Sequence, residues 1–429
     1  MKKLLYLSLL SAMAVLSGCG SSEEETTEPV AEQEQEAVPE VRDVTRGINL
    51  TESQKAAVGR NNDFAFNIYR AISQSDGNET KSLVFSPVSC TYALGLLNDG
   101  AQGQTSAEIL SLLGFGGGTA KEVNELCQTL MLESPLVDEK VVLKLANTVV
   151  TNADITLSEK YSREVKAYYQ AETFSKDFAD PSTLPFVNGW CSSHTEGKIE
   201  KILDELDPDT KALLMNAVYF KAPWAVTFDK SETADEPFTC DDGSRVRMPL
   251  MHRLGALNYT RNATYATVAL PYGKGDRWTM YVLLPEPGKS VADILGSLTQ
   301  SSWEENKSRL MGTKVDVKLP RFKTESDLDL VDIVSSLGAR TMFTDFADFS
   351  PMTADGRPLK VSKIKQKAVA EVSEEGTEAA AVTVIGMMES AMPTGEPVYP
   401  EFHATRPFVY LIQEETSGAV FFIGTYRGE

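Results

Sequence analysis

Residues 371–393, "EVSEEGTEAAAVTVIGMMESAMP", change character twice. The opening alternates as a strand does, the middle runs through three alanines after Glu378, and the end is a Met-rich run reaching Pro393. Successive side chains of a strand point to opposite faces. From Thr377 onward one face would carry Thr377, Ala379, Ala381, Thr383 and Ile385, and the other Glu378, Ala380, Val382 and Val384. The first face begins with small groups that could pass between two strands and over a core without steric blockage, while Glu378 could stay in water. An exposed linker or a short Ala-rich helix is the alternative. The stretch therefore reads half as strand and half as exposed bait.

On its far side, "PFVYLIQEETSGAVFFIGTYRGE" (407–429) gives two apolar strand runs separated by a turn at 415–418, the chemistry of a buried hairpin. Upstream, "KVDVKLPRFKTES" (314–326) alternates Val315, Val317 and Leu319 on one face, and "VVLKLANTVVTN" (141–152) and "WTMYVLLPEPG" (278–288) are further strands. "SQKAAVGRNNDFAFNIYRAISQ" (53–74) places Phe64, Phe66, Ile68 and Tyr69 in a broad helical stripe. "PVSCTYALGLLNDGAQGQTSAEILSLLGF" (87–115) predicts a helix stopped near Gly100 and a second starting near Thr105. Nothing after residue 47 marks a linker or a repeat. One large α+β domain is expected over 47–429.

The chain has 429 residues, 42% hydrophobic and 8% aromatic, enough for a substantial core. Its 61 acidic against 41 basic residues give a net charge of −20, which argues against a nucleic-acid backbone as partner. Residues 1–22, "MKKLLYLSLLSAMAVLSGCGSS", place two lysines before an apolar run over 4–16 that is short for a membrane span. This is a secretory signal over 1–18, and "LSGC" resembles the bacterial lipobox, which implies cleavage before Cys19 and lipidation of its thiol. Glu-, Pro- and Gln-rich residues thereafter predict a self-repelling tether over 19–46. The acidic run after Cys19 resembles the signal that places lipoproteins on the cell surface. An extracytoplasmic location, at the outer membrane or surface of a Gram-negative bacterium, is the expectation.

Chemistry is sparse. Cys90, Cys127, Cys191 and Cys240 lack C-x-x-C spacing, so they predict free, mostly buried thiols rather than a zinc site. His194, His252 and His403 stand alone in sequence, and there is no G-x-S-x-G elbow. "LGFGGGTAKE" around Gly116 lacks the G-K-[ST] ending of a phosphate loop, and "PYGKGDRW" (271–278) reads as a turn between strands. No enzyme, no cofactor and no metal is expected.

Six dispersed blocks resemble the serpin family, in order, across 47–429. They are "FSPVSCTYALGLLNDGAQGQTSAEI" (85–109), "VNGWCSSHTEGKI" (187–199), "NAVYFKAPWAVTFDKSETADEPF" (216–238), "LGARTMFTDFADFSPMT" (337–353), the 371–393 stretch itself and "FHATRPFVYLI" (402–412). The resemblance implies three β-sheets with surrounding helices and an exposed reactive-centre loop over about 374–398. It implies a hinge of Glu374, Gly376, Thr377, Glu378, Ala379, Ala380 and Ala381. Trp224 would sit where the hinge meets the sheet, with Arg321 facing Glu374. Ser86, Ser89, Asn188 and Gln366 would lie where the sheet parts, Gln366 standing where many relatives have His. Fourteen residues counted from Thr377 inclusive reach Ser390, so the expected reactive bond joins Ser390 to Ala391, with Met387, Met388 and Met392 as rivals. Between Lys367 and Arg406 there is no Arg or Lys, which argues against a trypsin-like target. The implied function is a monomeric, one-shot trap for elastase-like or chymotrypsin-like serine proteases, or subtilisin- or papain-like enzymes. The alternative is a non-inhibitory relative acting as a surface binding module.

Overall fold

A computed structural model describes residues 47–275, 277–377 and 399–428. The signal, Cys19, the tether, Glu378, Ala379, Ala380, Ala381, Met387, Met388, Ser390, Ala391 and Met392 lie outside the described residues. Helix α1 (Glu52–Ser73) begins in a reciprocal capping box: Thr51 Oγ1 accepts from the Gln54 N–H, and Gln54 Oε1 accepts from the Thr51 N–H. Its expected stripe of Phe64, Phe66, Ile68 and Tyr69 is buried. Short β1 (Leu83–Phe85) leads to α2 (Pro87–Asp99), capped by Ser86, opened by Pro87 and ended at Gly100. Almost every residue of α2 is buried, as a helix apolar on all sides requires. Helices α3 (Gly103–Leu112), α4 (Ala120–Glu133), α5 (Glu159–Tyr169), α6 (Thr183–His194), α7 (Val291–Ser297), α8 (Gln300–Ser308) and α9 (Val331–Ser336) complete the set among the described residues.

A six-stranded sheet runs β10 (Phe322–Asp329), β11 (Lys365–Ser373), β12 (Gly376–Thr377), β4 (Ala212–Pro223), β2 (Val142–Asn152), β3 (Glu172–Lys176). A second network runs β1, β15 (Val420–Tyr426), β14 (Phe408–Glu414), β8 (Trp278–Pro285), β7 (Tyr265–Pro271), β6 (Arg245–Arg261), β9 (Met311–Pro320), β13 (Glu401–His403), with β5 (Ala234–Thr239) on β6. The three expected sheets thus appear as two hydrogen-bonded networks. The cause is β6, 17 residues long. It pairs with β5 through its first half and with β9 and β7 through its second, which fuses two sheets into one.

Helix α2 packs against both β4 and β15, so it lies between the two networks. The hairpin of β14 and β15 is buried on both faces, which explains its unbroken apolar runs. Cys90, Cys127 and Cys191 are buried and Cys240 half-buried, all as free thiols. Among the described residues no helix is long and apolar enough to cross a membrane.

Gly424 pairs in register with Tyr410, and a Cβ built there would lie 2.2 Å from the Tyr410 ring. Gly424→Ala therefore overpacks the hairpin and should destabilise the protein by roughly 1–3 kcal/mol. A lowered urea midpoint at unchanged denaturant slope is the expected reading.

Candidate functional site: an open slot and its hinge

The six-stranded sheet is incomplete in its middle. Strand β4 pairs with β2 along 212–221, and β11 pairs with β10 along 365–372. Between β4 and β11, among the described residues, stand only the two residues of β12. Below Thr377 two strand edges thus face one another with no strand of the described residues between them. Backbone N–H and C=O groups demand partners, so this is an acceptor for one more strand. A cavity of about 510 Å³ occupies the lower part, with Leu213, Met215 and Asn216 of β4, Gln366 of β11, and Ser89 and Leu94 of α2 among its lining. A smaller hollow continues upward between Phe220 and Val369 to Thr377.

The hinge closes the head of the slot. After β11 the chain turns at Glu374 and Glu375 and comes back as Gly376 and Thr377, which pair with Ser373 and Val372 on one side and with Pro223 and Ala222 on the other. Gly376 has φ +144°, and a Cβ there would lie 2.2 Å from the Ala222 carbonyl oxygen. Only glycine fits this approach. Two backbone hydrogen bonds fix the turn: Trp224 N–H donates to the Glu375 carbonyl (2.8 Å) and Phe228 N–H to that of Glu374 (2.9 Å). The Trp224 indole N–H donates to the Ser373 carbonyl at 2.9 Å.

Glu374 is buried, and Arg321 grips it with two donors, Nε at 3.1 Å and Nη2 at 2.5 Å, while the Thr233 hydroxyl donates at 2.8 Å. Burial pushes the Glu374 carboxyl upward. The Arg321 guanidinium, with backbone N–H and Thr233, outweighs this and holds it below its ordinary value. Glu375 pairs with Lys230, chiefly for that reason lowered too. The Arg321–Glu374 contact is where the motif put it; Lys230 and Thr233 were not singled out, and they reach the hinge from a turn that begins at Asp229.

Midway down the slot, the Gln366 amide makes two bonds to one residue. Its Oε1 accepts from Ser86 N–H (2.8 Å) and its Nε2 donates to the Ser86 carbonyl (2.9 Å). Ser89 lies beside them, its N–H donating to Ser86 Oγ. Asn188 does not join this group. It sits on α6, where Oδ1 accepts from Ile202 and Leu203 N–H and Nδ2 donates to the Leu203 carbonyl, pinning the segment after that helix. The asparagine that lines the cavity with Ser89 and Gln366 is Asn216. Its Nδ2 donates to Asn147 Oδ1 and the Ala146 carbonyl, and its buried Oδ1 has no hydrogen-bond partner among the described residues. Asn216 opens the quoted block "NAVYFK", so the signal was present in the sequence.

Two of the three histidines, isolated in sequence, meet in space. His252 Nε2 lies 2.8 Å from one oxygen of Asp316, and His403 Nε2 3.3 Å from the other. His403 belongs to β13, the first strand of the described chain after residue 398, which pairs with β9.

This architecture has known counterparts. The family model for serpins (serine protease inhibitors) matches residues 59–427. The chain belongs to the serpin family. It is 32% identical to mouse alpha-1-antitrypsin 1-1 over 367 residues, covering 84% of this chain and 86% of that protein. Identity is also 32% to an uncharacterized serpin-like protein of Thermococcus kodakarensis, over 86% of this chain and 85% of that one. Among solved structures, native tengpin, a thermophilic serpin, superposes with TM-score 0.80 at 28% identity, covering 90% of this chain and 96% of tengpin. Human thyroxine-binding globulin, complexed with thyroxine, gives the same TM-score and identity over 88% of this chain and all of that one.

The Arg321–Glu374 grip yields a signed pH prediction. A carboxyl whose folded value is lowered stabilises the fold fully above its unfolded value and loses that contribution as pH falls through the folded one. Glu374→Gln should lower stability by roughly 1–3 kcal/mol, because a buried charged bond is lost. Its deficit in thermal midpoint should be constant above pH 4.5, the ordinary value, and shrink below it. Gln366 generates a second expectation, since an amide does not titrate whereas an imidazole does so near neutrality. Strand entry into the slot, read as the rate of heat-induced polymerisation, should change little between about pH 5 and 7 in the natural protein. A pH step in that window should appear in Gln366→His.

Proposed function

We propose that this serpin is a suicide-type inhibitor that traps serine proteases as a covalent acyl complex by inserting its cut loop into its own sheet. The observation that carries the reading is the pair of facing strand edges in β4 and β11, which among the described residues are joined only by β12, with the hinge already seated at their head. A protease hydroxyl attacks the carbonyl of Ser390, the amine of Ala391 leaves, and the loop remains esterified to the enzyme. The freed segment from Glu378 onward then adds to β4 and β11 and forms main-chain hydrogen bonds that the uncut chain lacks. The enzyme is carried along, and its distorted site fails to complete hydrolysis.

The small residue Ser390 suits an elastase-like enzyme, and Met387, Met388 or Met392 would suit chymotrypsin-like, subtilisin-like or papain-like ones. Anchoring through Cys19 at the cell surface would set such a trap, as a monomer, against proteases met outside the bacterium. A second reading, a non-inhibitory binding module, draws on the likeness to a thyroxine-binding globulin.

Incubation with elastase should give a complex that survives SDS, with the released peptide's mass locating the cut bond. After cleavage the protein should melt at a markedly higher temperature than before. Thr377→Arg cannot seat the hinge and should be cleaved by the same enzyme without forming the complex. Cleavage of the natural chain with no complex and no gain in melting temperature would leave the binding-module reading in its place.

A further inference from the structure

Thr377 is the last described residue of the hinge, and it is buried. Its Oγ1 lies 2.6 Å from the hydroxyl of Tyr272, a residue that the motif did not mark. Tyr272 is fully buried, follows β7, and forms an isolated bridge with Trp224. Its ring stacks on Trp224 at 4.4 Å and 9°, and Phe220 meets it edge-on at 5.4 Å. The ring is therefore fixed by its neighbours, and its oxygen points at one place in the slot. Burial pushes the Tyr272 hydroxyl well above its ordinary value, so it stays protonated.

We propose that Tyr272 is a positioning residue that holds the uncut hinge seated between β4 and β11, so that strand addition starts from a nucleus already formed. The Tyr272 hydroxyl sits in a wall of rings, and withdrawal of Thr377 leaves it buried without its partner, which is unfavourable. The hydrogen bond thus opposes unseating. With Gly376 and Thr377 already paired on both sides, the slot is held apart at its head and the first register is set. Each further residue then adds to existing edges, as propagation follows nucleation in any cooperative ladder. The importance of this nucleus for trapping rests on the inhibitory reading above, but the seat itself does not.

The test uses the full chain and four variants: Tyr272→Phe, Thr377→Val, Thr377→Ser and the double Tyr272→Phe/Thr377→Val. Tyr272→Phe keeps the stack on Trp224 and removes only the oxygen. Amide exchange at Gly376 and Thr377 in the uncut protein reads the seat without any protease. It should quicken about five- to tenfold in Tyr272→Phe and in Thr377→Val, as loss of one buried hydrogen bond implies. Thr377→Ser should match the natural chain, and the double variant should exchange no faster than either single one. Unchanged exchange in Tyr272→Phe, or multiplicative effects in the double variant, overturns the proposal. Should Tyr272→Phe fail to fold, Thr377→Val probes the same bond from the other side. The molar excess of inhibitor needed to silence elastase should rise in the same order as exchange, with Thr377→Ser restored. Faster exchange with an unchanged excess overturns the assignment of Tyr272 to the trapping step. A natural chain that traps nothing refutes the inhibitory reading, while exchange still decides the seat.

Discussion

The facing edges of β4 and β11, with only the two residues of β12 between them among the described residues, are the constraint from which the remaining features follow. A buried N–H or C=O without a partner costs as much as a lost hydrogen bond, and a sheet would ordinarily close to avoid that. Here closure is opposed at two heights. At the head, Gly376 and Thr377 stand between the strands and pair with both. Lower down, side-chain amides draw the two strands to different neighbours: Asn216 ties β4 to β2 through Asn147, and Gln366 ties β11 to the start of α2 through Ser86. The cavity of about 510 Å³ beneath is the volume that these ties keep open. Along it runs α2, a mostly apolar helix whose polar contribution to the lining is Ser89.

The head of the slot is fastened mainly by charge. Removing one partner from a buried ion pair costs more than the pair contributes, because the other charge is left stranded. Glu374 is the buried member and Arg321 is half-exposed, so the asymmetry falls on the carboxylate. The hinge turn can leave its seat only by stripping Glu374 of Arg321 and Thr233 together. Beside this grip, Trp224 joins backbone, indole and ring contacts in one residue: its N–H donates to the Glu375 carbonyl of the turn, its indole N–H donates to that of Ser373, and its ring stacks on Tyr272. Charge thus holds the turn, and the aromatic wall holds the two residues that follow it.

Local features of this fold were legible because their causes are local. The stripe in α1, the stop of α2 at Gly100, the alternation of Val315, Val317 and Leu319, and the hairpin turn before Ala419 each depend on residues a few positions apart. Arg321 and Glu374 were paired because each stands in a recognisable block. The misplacement of Asn188 has the opposite origin: two asparagines stand in two recognisable blocks, and nothing within either says which strand edge it will line. Lys230, Thr233 and Tyr272 come to the hinge from elements far along the chain, and the meeting of His252 with His403 over Asp316 depends on β6, β9 and β13 lying side by side. The fusion of two sheets by β6 was hidden for a related reason, since a 17-residue strand looks in sequence like two shorter ones.

The residues on either side of 378–398 are held in different sheets, and on the inhibitory reading this would set when the slot can fill. One end is Thr377, already inside the six-stranded sheet; the other is β13, joined to β9 through three parallel register pairs and backed by His403 on Asp316. Residues 378–398 must connect them. Entering the slot along β4 uses about 3.3 Å per residue, so ten residues descend roughly 33 Å and those remaining must climb back by the same height. An uncut chain filling the slot would be drawn taut in both directions, and the pull would fall on the three pairs of β13. In the proposed trap, cleavage would remove the return path, and the hinge end would gain one strand's worth of hydrogen bonds while β13 stayed where it is. On the inhibitory reading proposed above, anchoring residues 378–398 at both ends while leaving room for them at only one would give a native state that waits for a cut.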